Sequence, residues 1–196
     1  DFFLMRFKED IRVEAGGMLA DRRVVPLPET TVEATPAEER IYAILADLRQ
    51  ATLSDTPPSH DTRHQWQAQA LLQYGFYKLF LSSPEACLAT VNKRLHERQG
   101  AVEASPELPY LQQLSTRLSD LTITQTARYT ILQRQLEQIG WDGSAGSPRL
   151  LIFTESRRTQ DALAAALARA FHLHYSPRFE DQPRQLIATI HGGCPD

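Results

Sequence analysis

Leu150-Leu151-Ile152-Phe153-Thr154-Glu155-Ser156-Arg157-Arg158-Thr159-Gln160-Asp161-Ala162-Leu163 is the stretch on which the fold turns. Its four leading apolar residues follow the breaker run Gly143-Ser144-Ala145-Gly146-Ser147-Pro148, a pattern that predicts a short strand at 150–153 in a parallel sheet covered on both faces. Thr159 can cap the helix that comes next, because its hydroxyl can accept from an amide two or three residues on. Ala162, Leu163, Ala166, Leu167 and Ala170 then recur at helical spacing, which predicts a helix over 159–171. A second strand is expected at 187–190, beside the first, running into His191-Gly192-Gly193. In a strand, polar turn, helix unit the turn is where ligands bind: helix N-terminal N–H groups carry partial positive charge, and Arg157 and Arg158 stand beside them. The two arginines either contact an anion or merely decorate a capped surface turn. The glycine pair either brings backbone close to a ligand or ends a strand.

Working back from that stretch, helix starts punctuate the middle of the chain. Thr35-Pro36-Ala37-Glu38 supplies a cap hydroxyl, a proline at the first helical position and a glutamate able to reach back to the cap N–H. Ile41, Ile44, Leu45 and Leu48 lay one apolar stripe on the helix it opens, which ends before Asp55-Thr56-Pro57-Pro58-Ser59. A second helix, from about Thr62 to Leu81, carries Trp66, Ala70, Leu71, Leu72, Phe76, Leu79 and Phe80, a set wider than one stripe, and is expected at the centre of a bundle. Ser83-Pro84-Glu85 caps a third, with Leu88, Val91 and Leu95 inward and Lys93, Arg94 and Arg98 facing away as a solvated or phosphate-meeting face. Pro106 and Pro109 begin a shorter helix to about Leu118. A last one, from about Thr124, places Tyr129, Leu132, Leu136 and Ile139 on one side before Gly140 stops it. Toward the N-terminus, Phe2, Phe3, Leu4, Met5 and Phe7 read as a helix or an irregular apolar plug, and Val24-Val25-Pro26-Leu27-Pro28 as an extended connector.

Composition narrows the function. With 196 residues, 42% apolar and 23% charged, the chain can bury a core as one domain or two small ones. A net charge of −3 excludes a domain coated in basic surface, so any nucleic-acid contact is a local patch. Cys87 and Cys194 are isolated, neither a secreted disulfide framework nor a metal-ligand spacing, which fits a reducing cytoplasm. His60 and His64 lie four apart beside Pro57-Pro58 with no third ligand nearby and read as a solvated turn; His172 and His174 read as structural residues at a strand end. No apolar run approaches bilayer length and no segment reads as a signal peptide, so a soluble protein without a membrane partner is expected.

Six segments of the chain resemble a known family. Leu151-Ile152-Phe153-Thr154-Glu155 through Thr159 resembles motif IV of superfamily 2 helicases and DNA translocases, and Ile190-His191-Gly192-Gly193 resembles the motif IVa that follows it. Phe3-Leu4-Met5-Arg6-Phe7-Lys8-Glu9-Asp10-Ile11 is similar to the segment by which Swi/Snf-type ATPases leave their first lobe, with Met5 in place of the family's first arginine. Arg23 to Pro28 and Val32 to Tyr42 are similar to the family's extended segment and the helix start after it, and Leu79-Phe80-Leu81-Ser82-Ser83-Pro84-Glu85-Ala86 resembles a run of bacterial members.

The resemblance implies a mainly α chain with a partial α/β unit: a helical bundle insertion followed by the first strands and helix of a RecA-like, P-loop NTPase type, helicase C-terminal lobe. Residues 1–34 would be the exit of the first lobe and its connector, 35–142 the insertion, and 149–196 the incomplete second lobe. The parent would hydrolyse ATP with Mg and move on double-stranded DNA, with Thr154, Ser156, Arg157, Thr159, His191, Gly192 and Gly193 on the DNA backbone and Arg6 and Lys8 near the hinge. The chain itself holds no Gly-x-x-x-x-Gly-Lys-Ser/Thr, no Asp-Glu dipeptide and no Gly-Arg. Alone it should therefore bind neither cofactor and hydrolyse nothing; the first lobe and the rest of the second are its expected partners. A helical scaffold or protein-interaction module without nucleic acid is the alternative.

Overall fold

The computed structural model describes residues 32–53, 63–99, 105–144, 146–177 and 187–192. The chain divides into two compact units, Asp1–Val32 and Glu33–Asp196, and the described helices all belong to the second. Helix α1, Pro36–Thr52, starts where its local chemistry demands. Thr35 Oγ1 accepts from the Glu38 amide at 3.2 Å, and Glu38 Oε2 accepts from the Thr35 amide at 2.8 Å. Helices α2 (Arg63–Ser82), α3 (Pro84–Gln99) and α4 (Leu108–Ser119) follow. Each of the four packs on two others, α1 on α2, α2 on α3, α3 on α4 and α4 back on α1, so their apolar faces close around one core. Ile41, Leu45 and Leu48 from α1 meet Phe76 and Phe80 from α2, Cys87 and Val91 from α3, and Leu111, Leu114 and Leu118 from α4.

A second, smaller core lies beyond the bundle. The 3-10 turn Ile123–Gln125 and helix α5 (Ala127–Gln138) present Ile123, Tyr129 and Leu136 to Leu163, Ala166 and Leu167 of helix α6 (Arg157–Ala170). Trp141 and Phe171 close its edge, ring centroids 4.7 Å apart in an edge-to-face arrangement. Polar caps tie this layer to the bundle. Glu38 Oε2 accepts from the Ala127 amide at 3.2 Å as well as from Thr35, so one buried carboxylate serves the first turns of α1 and α5. Glu85 Oε1 accepts from the Ile123 amide at 2.9 Å. The Arg128 guanidinium donates to the carbonyls of Phe80 and Leu81, capping the end of α2 with a cation where the helix dipole favours one.

The expected α/β unit is absent: among the described residues every regular element is helical, and neither 150–153 nor 187–190 forms a strand. A parallel strand gains its burial only when neighbours pair with both edges and helices cover both faces. Here α6 packs on α3 and the 3-10 turn, and its apolar stripe shares a core with side chains of α5 instead of facing a sheet. Leu151 and Phe153 are left 74% and 86% exposed. The start of α6 differs too. Ser156, extended at φ −122° and ψ 131°, is its N-cap, so Thr159 stands inside the first turn and not at the cap. His172 is not at a strand end but in a left-handed turn, φ 54°, where the amides of His172 and Leu173 close the end of α6 on the Arg169 and Ala168 carbonyls.

Three expectations about the helices also change. Helix α2 is not buried all round: Gln73, Phe76 and Phe80 point inward while Leu71, Tyr74 and Leu81 are exposed. The basic face of α3 does not simply meet solvent. Arg94 donates to Glu107 at 3.0 and 2.9 Å and Arg98 at 3.0 Å, and Glu107, just before α4, is buried. Ile139, placed inward by its spacing, is exposed at the end of α5; Gly140, with φ 67°, ends that helix as expected. Among the described residues no helix is long and apolar enough to cross a membrane.

Candidate nucleic-acid interface at the head of α6

Residues 154–159 form a tight polar turn entering a helix. Thr154 Oγ1 donates to the Ser156 carbonyl at 3.3 Å, folding the segment back on itself. The Ser156 side chain makes no cap bond, so the first-turn amides of α6 are served by no side-chain oxygen of their own cap. Arg157 and Arg158 are exposed at that positive end. An anion approaching here would meet two guanidinium groups and a helix dipole of favourable sign.

The second segment joins the first at this point. Gln160, in the first turn of α6, donates from Nε2 to the Ile190 carbonyl at 2.9 Å, which sets the 190–192 segment against the head of the helix. His191 is half-buried there and Gly192 is exposed, with open space where a Cβ would stand. Among the described glycines Gly140 and Gly143 have left-handed backbone and Gly192 does not. Gly193, Arg6 and Lys8, together with the apolar cluster at 1–11, the connector at 24–28, His60 and Cys194, lie outside the described residues.

Thr159 is the member of the expected set that faces the other way. It is 5% exposed, and its hydroxyl lies 2.7 Å from Ser82 Oγ and 3.0 Å from Ser83 Oγ, at the elbow between α2 and α3. Sequence reasoning missed what lies beneath the turn. Ser83 was legible as a helix cap, and it does accept from the Ala86 amide at 3.1 Å, but nothing in its neighbourhood signals a partner 76 residues away. Lys78 gave no signal at all. Its ammonium pairs with Glu155 at 3.0 Å, both side chains more than half exposed, and that hydrogen bond holds the lysine pKa above its usual value. Comparison with protein-family models, with curated proteins and with solved structures gave no match.

Proposed function

We propose that the chain is part of an ATP-dependent DNA helicase or translocase of superfamily 2, of the Swi/Snf-like, bacterial type. It would contribute the helical region between the lobes and a contact on the DNA backbone. The observation that carries this reading is the Gln160–Ile190 hydrogen bond, which unites two segments 30 residues apart that separately resemble DNA-contacting motifs. Thr154, Ser156, Arg157, His191, Gly192 and Gly193 are the residues assigned to the phosphates, with Thr159 holding the turn from below. Arg6 and Lys8 are assigned to the hinge. ATP and Mg belong to the parent's other segments, since no phosphate loop occurs in this sequence. A cytoplasmic location goes with that role.

Phosphate contacts of this kind are independent of sequence and weaken with salt. Fluorescence titration with labelled duplexes of two unrelated sequences should give similar affinities. In Arg157→Gln, affinity should drop for both and the slope of log affinity against log salt should shrink by about 1. Duplex affinity that ignores salt and the loss of Arg157 would defeat the reading.

One observation favours the scaffold alternative. Leu151, Phe153 and Ile190 are strongly exposed apolar residues close to the same turn, as at a protein–protein contact. Indifference to duplex DNA, with association of the chain abolished by Phe153→Asp, would select it.

A further inference from the structure

The geometry points to Thr159 as a positioning residue that fixes the head of α6 to the α2–α3 elbow, so that the cations above it take their orientation from the helical bundle. The consequence for the cations rests on the DNA-contact reading; the tie itself is set by hydrogen-bond direction. Ser83 Oγ accepts from the Ala86 amide at 3.1 Å and from Thr159 Oγ1 at 3.0 Å. With its proton directed at Ser83, Thr159 Oγ1 accepts at 2.7 Å from Ser82 Oγ. One buried threonine is thus held by both residues of the elbow, and through Ser83 by the first turn of α3. Ser83 and Thr159 are 2% and 5% exposed, so these bonds face little competition from water.

A second tie repeats the spacing. Lys78 stands one helical turn before Ser82 on α2, and Glu155 stands four residues before Thr159. The 3.0 Å Lys78–Glu155 pair and the Thr159 cluster therefore pin the head of α6 at two points, with Arg157 and Arg158 between them. The exposed pair contributes little by itself. The buried hydroxyl decides the orientation. A phosphate held by the arginines would be felt at the elbow, and a shift of α2 against α3 would re-aim the arginines.

Thr159→Val keeps the shape and removes the hydroxyl; Thr159→Ser keeps the hydroxyl and removes a methyl. Amide hydrogen exchange on the full chain should show opening of Gln160–Leu163 faster by roughly five- to tenfold in Thr159→Val, one net hydrogen bond's worth, with α1 and α4 unchanged. Thr159→Ser should restore wild-type exchange. Equal loosening in both variants, or none in Thr159→Val, would overturn the inference. Should Thr159→Val not fold, Ser82→Ala removes one arm of the cluster, and unchanged exchange at 160–163 there is likewise fatal. Duplex affinity read on the same proteins should fall severalfold in Thr159→Val and recover in Thr159→Ser; a loosened head with unchanged affinity would sink the coupling. Failure of the wild-type chain to bind duplex would count against the DNA reading alone, because the exchange arm needs no DNA.

Discussion

Glu107 is a buried carboxylate on which two arginines converge. Burial pushes its carboxyl upward, but the hydrogen bonds and charge of Arg94, the charge of Arg98 and the Gln69 amide outweigh this, leaving it below the usual carboxylate range. The folded value lies under the unfolded one, so the stabilisation is present above the unfolded pKa of about 4.3 and is lost as acidification passes through the folded value. Thermal melts against pH should show an acid-side loss in the wild type that is missing in Glu107→Gln. At neutral pH that variant should cost about 2 kcal/mol, below the range for fully buried pairs because the arginines keep 22% and 34% of their side-chain surface exposed. Cys87 is the opposite case. Burial alone pushes its thiol up to about 12, and its Sγ donates to the Phe76 carbonyl. Its folded pKa exceeds the unfolded value, so its contribution is complete below about 8.5 and fades as pH rises toward the folded value. Iodoacetamide at pH 8 followed by peptide mapping should leave Cys87 unlabelled until the protein is unfolded; rapid native labelling would show the thiol is not enclosed.

At the scale of elements, the cap at Thr35 and Glu38 was readable because everything it needs lies within four residues. Thr35→Ala should cost about 1 kcal/mol. Glu38→Ala should cost roughly twice that by denaturant titration, since the same carboxylate also caps α5 through the Ala127 amide. Equal losses for the two would mean the second cap contributes nothing. Local spacing could not foresee that second role, because Glu38 and Ala127 are brought together only by the packing of α5 on the bundle. The start of α6 failed for a related reason. Ser156 and Thr159 are both competent caps by chemistry, and the choice between them was made by the elbow beneath, which takes the Thr159 hydroxyl inward.

For the molecule as a whole, two helical cores divide the apolar residues between them and leave 150–153 on the outside. Replacement there should be nearly neutral: Phe153→Ser is expected to change unfolding free energy by less than about 0.5 kcal/mol, against about 3 kcal/mol for Leu45→Ala in the bundle. A loss from Phe153→Ser comparable to that of Leu45→Ala would mean the segment is buried in a sheet after all. Four consecutive apolar residues predict burial, but a strand is a property of a set of strands. With no paired partner among the described residues, that run has an apolar composition and no structure to match it.

By itself the sequence determined that the helices exist and where several of them end, since a helix satisfies its backbone within its own residues and signals its ends through Thr35, Ser83-Pro84 and Gly140, though not the cap of α6. It also placed a polar turn at 154–158 ahead of the helix that became α6. Only the tertiary structure decided that Gln160 joins them, that Thr159 looks inward to Ser82 and Ser83, that Arg94 and Arg98 turn to Glu107, and that 150–153 stays unpaired. Each of those outcomes depends on groups far apart in the chain meeting in space, and no local pattern of residues encodes which distant group will arrive.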